Sequence, residues 1–240
     1  MSALYAGKVV IVTGASRGVG RLLREHFLAQ GAQVIGFSRQ ALEQEQDASG
    51  RYTPLAVDVA DPAAVTRAFE QIRKRFEAVD IVINNAAVLT SQYAMILPAA
   101  SAQAMLDTNV MGSFMVAREA AKLMRKRKWG RIINISSMAA ALQPSGDAVY
   151  AATKAAVEVL ANVMAREFAP LNITCNTLGI TAIATEMLAG LPADKIAAII
   201  NRLPLPRMAH ADDVLNVIDF FASERSSYIT AQTVYLGGVN

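Results

Sequence analysis

The chain has 240 residues, a hydrophobic fraction of 53% and a formal charge of +3. That length accommodates one large α/β domain, and an apolar content rich in Ala, Val and Ile suits a sheet covered on both faces. A single cysteine, Cys175, excludes an intrachain disulfide and fits a reducing compartment; in an apolar strand with no adjacent cation, it reads as buried filler rather than a nucleophile.

The apolar run 9–12 is strand-length, not signal-length, so no targeting segment is expected. Residues 8–12 read as a buried parallel strand, and 13–20 (TGASRGVG) follow it directly. A helical pattern then begins, with Leu22, Leu23, Phe27 and Leu28 on one stripe. Strand, glycine-rich turn and helix together make a phosphate cradle: Gly14 permits the sharp turn, Gly18 lets the backbone approach a pyrophosphate, and Gly20 lets helix and strand pack closely. The spacing is G-x-x-x-G-x-G, not G-x-G-x-x-G, and a plain tight turn is the competing reading.

Residues 33–37 form the second expected strand. The position just beyond it reads the adenosine ribose, where an acidic side chain selects NAD. Ser38 and Arg39 stand there instead. No carboxylate repels a 2′-phosphate, and a guanidinium grips one in a fork, so NADP is favoured over a solvated-loop role for Arg39. Arg17 offers a second cation. A third strand covers 52–57; Asp58 then either meets an adenine amino group or caps the loop. Asp61-Pro62 opens a helix as N-cap and first position, with Val65, Phe69 and Ile72 toward the sheet.

The fourth strand, 79–83, ends in Asn84-Asn85-Ala86-Ala87, residues that serve either as turn formers or as sheet-to-cofactor spacers. The long uncharged stretch 81–106 is interrupted by Asn84, Asn85, Ser91, Gln92 and Pro98, which argues against a membrane span. An amphipathic stretch follows over 101–128 and carries Asn109 in its middle, where asparagine is a mediocre helix former. The basic run from Lys122 to Arg131 suits a helix C-terminus better than nucleic acid. The fifth strand, 131–135, places Ser136 and Ser137 at its carboxyl end, the edge where open α/β sheets bind ligands.

A loop over 138–148 leads to a helix over 149–169 bearing Tyr150 and Lys154. Four apart, they share a face, and the ammonium is expected to lower the tyrosine's pKa toward the range useful for proton transfer. A sixth strand spans 173–178, and the proline-interrupted segment 181–207 is a candidate lid. His210-Ala211-Asp212-Asp213 starts a last helix, and 233–236 is a seventh strand. The two histidines, His26 and His210, are too isolated for a metal site or a triad. The expected fold is one doubly wound Rossmann-type α/β domain over 1–240, a seven-stranded parallel sheet with helices on both faces.

The glycine turn 13–20, Asn84-Asn85-Ala86, Ser137, and Tyr150 with Lys154, in this order along one sheet edge, resemble the short-chain dehydrogenase/reductase family over essentially the whole chain. TGASRGVG, GRIINISS, the Leu-Pro-Leu-x-Arg stretch and the terminal Gly-Gly are most similar to 3-oxoacyl-[acyl-carrier-protein] reductases. The resemblance selects Ser137 over Ser136, thirteen before the tyrosine, and adds Asn109 to complete a catalytic set of Asn109, Ser137, Tyr150 and Lys154. It implies hydride delivery from NADPH to a substrate carbonyl held by Ser137 and protonated by Tyr150, with Lys154 on the nicotinamide ribose and Asn109 holding a water. It assigns Gly14, Ser16, Arg17, Gly18, Val19, Gly20, Ser38, Arg39, Asp58, Val59, Asn85, Ala86, Ala87, Ile183 and Thr185 to NADP(H), with Tyr150 and Lys154 also in contact. Substrate contacts fall to Ser137, Gln143, Tyr150 and Met187, with Pro144, Ser145 and Leu188 nearby; no metal is implied.

Two departures stand out. Ala87 replaces the glycine of the family's Asn-Asn-Ala-Gly, and Ile180-Thr181 replaces a Pro-Gly pair before Thr185, which is expected to alter the nicotinamide loop. The expected activity is NADPH-dependent reduction of a 3-oxoacyl thioester in the cytoplasm, on an acyl carrier protein or coenzyme A, by a homo-oligomer, a tetramer before a dimer, with no nucleic acid or membrane partner. A small polar ketone or sugar-derived substrate is the alternative, and a non-catalytic NADP(H)-binding regulatory protein the third reading.

Overall fold

The computed structural model describes residues 3–40, 49–183 and 193–239. Seven parallel strands alternate with helices: β1 (Val9–Thr13), α1 (Gly18–Ala29), β2 (Gln33–Ser38), β3 (Tyr52–Ala56), α2 (Pro62–Arg75), β4 (Ile81–Asn84), α3 (Ala99–Met105), α4 (Ser113–Met124), β5 (Gly130–Ser137), α5 (Met138–Leu142), α6 (Ala148–Phe168), β6 (Ile173–Ile180), α7 (Ala193–Ile200), α8 (Ala211–Ala222) and β7 (Thr233–Tyr235). The sheet order is β3-β2-β1-β4-β5-β6-β7. The chain therefore reverses direction across the sheet between β1 and β4, and a crevice opens beyond their carboxyl ends.

Both sheet faces are covered, which is why strands such as Val9–Thr13 read as unbroken apolar runs. On one face Ile11, Val82, Ile132 and Cys175 pack with Phe69, Val116 and Met164 from α2, α4 and α6. On the other, Val10, Val12, Ile83 and Leu178 pack with Leu23, Phe27, Val214 and Phe221 from α1 and α8. Cys175 is wholly buried, and burial pushes its thiol up to about 12, as expected of filler. Asp61 caps α2 through Ala63 N (2.8 Å), with Pro62 at its first position. The run 148–171 is long and apolar enough to cross a bilayer by length and composition, and here it is the helix that supplies Tyr150 and Lys154 to the cleft.

Three local features depart from expectation. The stretch expected as one helix over 101–128 is α3, a π-helical segment (Leu106–Gly112) and α4, so Asn109 sits where the helical hydrogen-bond register is widened. The loop after β5 contains α5, whose N-cap is Ser137: its Oγ accepts Ala139 N at 3.2 Å. Finally, β6 continues to Ile180, which pairs with Ser137. A proline there would have brought no N–H to the ladder. Neither Ala87 nor Thr181 has a positive φ, so the two glycines they replace are not required for backbone geometry.

Candidate active site

A cleft of about 1600 Å³ runs along the carboxyl ends of the strands. At one end stand Gly14, Ser16, Arg17, Gly18 and Val19, with Ser38 and Arg39 beyond β2 and Asp58 and Val59 after β3. Asn85, Ala86 and Ala87 form the middle; Tyr150, Lys154, Ile180 and Ile183 form the far end.

The glycine turn is built for close approach. Gly14 and Gly18 both have positive φ (67° and 54°). A Cβ on Gly14 would lie 3.0 Å from Asn85 Nδ2, and one on Gly20 would lie 2.0 Å from the Gly14 carbonyl oxygen. Thr13 Oγ1 accepts both Asn85 N and Ala86 N at 2.9 Å, while Asn85 Nδ2 donates to Thr13 O. The asparagine is thus a tie between the ends of β1 and β4, serving the turn and the cleft wall together. No side-chain hydrogen bond caps the first turn of α1, which leaves its amides suited to an anion. These features fit a dinucleotide: backbone without Cβ atoms at the turn, a helix N-terminus, and two arginines at the end remote from Tyr150.

Not every expected contact acts alike. Asp58 accepts Ala60 N (2.9 Å), so it caps its loop while lining the cleft. The Ser38 hydroxyl donates to Gln40 O at 2.7 Å. Gln143, expected at the substrate, is exposed at the left-handed end of α5 (φ 48°) and is not in the cleft wall, which Ser145 and Gly146 form instead. Thr185, Met187 and Leu188 lie outside the described residues, as does the stretch 184–192 of the expected lid. Its described part, α7, brings Ala198 to the cleft, and Arg202 donates to Leu142 O at 3.2 Å.

At the far end, Tyr150 and Lys154 are buried on one face of α6, the Lys154 nitrogen 5.7 Å from the phenol ring centre. The expected lowering of the tyrosine's pKa is not what the structure gives. Burial pushes the phenol up to about 12, opposed by a hydrogen bond with Ser137 and reinforced by the Asp147 carboxylate. Lys154 Nζ donates to Ile135 O (2.8 Å), and burial brings its amine down to about 8, opposed by Glu158. The reason is desolvation: a charge on either group loses water before it gains a partner.

Asn109 is 1% exposed, and its side chain is fully engaged. Oδ1 accepts Val88 N (2.9 Å), and Nδ2 donates to Val88 O and Thr153 Oγ1 (both 3.0 Å). Thr153 in turn donates to Tyr150 O (2.7 Å), so Asn109 clamps the loop after β4 to the helix bearing the tyrosine. Any water-holding role would fall to its backbone carbonyl, which also accepts Ser113 Oγ. No motif marks Ser91 or Tyr93 as a site residue, yet both line the cleft, and Ser91 donates to Asp147 Oδ1 (2.5 Å). Ser91 appears there only because the loop after β4 folds over the start of α6, which no local motif reveals.

A phosphate-type glycine turn and a buried Tyr150-Lys154 pair at opposite ends of one cleft, with Ser136 in its wall and Ser137 buried beside it, define a dinucleotide-dependent dehydrogenase. Residues 8–196 match the family model of the short chain dehydrogenases, and the chain belongs to that family of oxidoreductases. It is 34% identical over 239 residues to the 3-oxoacyl-[acyl-carrier-protein] reductase FabG of Escherichia coli (strain K12), across 98% of this chain and 97% of that one. Among solved structures it resembles a provisionally named gluconate dehydrogenase from Agrobacterium tumefaciens (TM-score 0.88, 28% identity, covering 99% and 97% of the two chains). It also resembles ElxO with NADP bound (TM-score 0.87, 26% identity, 95% and 96%).

Proposed function

We propose that this chain is an NADP(H)-dependent carbonyl reductase that reduces a 3-oxoacyl thioester to the 3-hydroxyacyl form, and runs backwards as a secondary alcohol dehydrogenase. The observation that carries the reading is the pair Tyr150 and Lys154, buried on one face of α6 and lining the end of the cleft away from Arg39, with Ser137 acting on the Tyr150 phenol. A carbonyl oxygen bound there would take a hydrogen bond from each of the two hydroxyls. NADPH, when bound, supplies the hydride. Ser137 orients the carbonyl oxygen and Tyr150 gives it a proton as charge develops there. Lys154 holds the nicotinamide ribose and offsets the charge left on the phenolate. Asn109, through Thr153, fixes the height of Tyr150 along α6. Gly14, Gly18 and the α1 N-terminus take the pyrophosphate, and Arg39 with Arg17 takes the 2′-phosphate that a carboxylate would repel.

The thioester assignment rests on similarity to FabG over nearly the full length. A second reading, a small polar ketone or a sugar-derived substrate, is favoured by the polar wall of Ser91, Gln92 and Ser145 beside Tyr150. Paired assays with an acetoacetyl thioester and with sugar-acid ketones separate the two. Loss of thioester reduction with retained turnover of the polar ketones selects the second.

A cytoplasmic homotetramer with no membrane or nucleic-acid partner completes the proposal. Leu106 and Met111, in the segment joining α3 to α4, and Val159 and Val163 on α6 are exposed apolar residues suited to helix pairing between copies. Light scattering of the wild type and of Val159→Glu tests it: four copies should fall to two or one.

A further inference from the structure

One turn beyond Lys154 on α6 stands Glu158, a half-buried carboxylate that the dehydrogenase chemistry leaves unused. Its Oε1 accepts two hydroxyls, Ser136 Oγ at 2.6 Å from β5 and Tyr235 OH from β7. That one oxygen is the acceptor for both hydroxyls, which fixes the carboxyl in place. The Tyr235 ring reaches it by lying across Gly179, where a Cβ would come within 2.1 Å of the ring. Gly179, Tyr235, Ser136 and Glu158 are therefore a matched set, contributed by β5, α6, β6 and β7. Ser136 also lies 3.3 Å from the Lys154 carbonyl, tying the set to the lysine's own turn.

We propose that Glu158, fixed by Ser136 and Tyr235, is a positioning residue for Lys154, its carboxylate holding the lysine in the ammonium form that the cleft requires. The consequence for turnover rests on the reductase reading; the charge coupling does not. Burial works against the ammonium, and Glu158 is the group that opposes it. Among the described residues, other groups around the lysine do not supply that charge. On α6, Tyr150 is neutral; β5 offers hydroxyls and the Ile135 carbonyl; β7 offers Tyr235 through Glu158. In the segment Leu106–Gly112, Asp107 accepts Gln103 Nε2, and Asp147 at the start of α6 acts on Tyr150. Ser136, set aside in favour of its neighbour as the catalytic serine, thereby gains a role of its own.

The test is a direct titration of Lys154 in the full chain, by NMR of protein carrying ¹³C at the lysine ε-position, with the resonance assigned through Lys154→Arg. Glu158→Gln keeps shape and hydrogen-bonding capacity while removing the charge. Its Lys154 midpoint should fall by about one unit or more, the size expected for a charge one helical turn away under partial screening. Glu158→Asp should restore most of it. Should Glu158→Gln fold poorly, the combined Ser136→Ala, Glu158→Leu, Tyr235→Phe protein replaces the whole set with apolar groups and should show the same fall. In pH profiles of kcat/KM for NADPH, the alkaline limb should move to lower pH with activity near pH 6 kept within about threefold, a pattern that lost packing alone would not give. An unmoved Lys154 midpoint overturns the proposal. A shifted midpoint in a protein that reduces no carbonyl supports the coupling and removes the reductase reading instead.

Discussion

Asn109→Ala gives the sharpest test of how the site is held together. The substitution strands three groups: the Val88 amide, the Val88 carbonyl and the Thr153 hydroxyl, each now bonded to the Asn109 side chain within 3.0 Å. Each buried polar group left without a partner costs about 1–3 kcal/mol. Thr153 keeps its bond to Tyr150 O, and Val88 is only half-buried, so water recovers part of the loss. The expected destabilisation is about 2–4 kcal/mol, read as a drop of roughly 1 M in the urea midpoint for a protein of this size. Unfolding should be followed at one fixed protein concentration, because assembly contributes to apparent stability. Asn109→Asp should rescue little, since it sets an acceptor against the Val88 carbonyl. A midpoint within about 0.2 M of wild type in Asn109→Ala would refute the clamp and with it the account of how Tyr150 is positioned.

Other consequences are as direct. Replacing Arg39 by Asp should exchange the cofactor preference, raising the KM for NADPH at least about tenfold and lowering that for NADH, because a fork to phosphate becomes a carboxylate facing it; an unchanged preference would remove Arg39 as selector. Gly20→Ala sets a methyl against the backbone carbonyl of Gly14, which must shift, and should both lower the melting temperature and weaken NADPH binding by titration calorimetry. The Cys175 thiol, raised to about 12, should resist an aromatic disulfide reagent at pH 8 in the folded protein and react at once in denaturant. Lys154 must carry its proton to work, and its folded pKa is depressed to about 8; kcat/KM for NADPH should therefore be full below that pH and fall as pH rises through it, with no such limb in Lys154→Arg.

The alternation of strands and helices, the glycine turn and the position of the ligand edge were legible because each is written locally: unbroken apolar runs, turn residues, and a stripe such as Leu23 with Phe27. What the chain order could not carry was anything made by distant residues. The widened register at Asn109 answers to Val88 and Thr153, not to its helical neighbours. The α5 turn, capped by Ser137, is too short to have a period. The direction of the Tyr150 shift reversed because a lysine four residues on is a local fact, whereas burial on all sides is a tertiary one. Ile180, half of the pair expected to alter the nicotinamide loop, extends β6 to meet Ser137, while the stretch 184–192 that follows lies outside the described residues. No local pattern marks Glu158; β5 and β7 bring two hydroxyls to it.

Carbonyl reduction in this cleft requires the Tyr150 phenol to donate the proton. The most direct measurement is NADPH oxidation with an acetoacetyl thioester, comparing wild type with Tyr150→Phe while NADPH binding is followed separately by fluorescence. Wild type should turn over, and the variant should bind NADPH normally yet reduce the thioester at least about 100-fold more slowly, the scale of a lost general acid. Equal rates in the two proteins would contradict the claim.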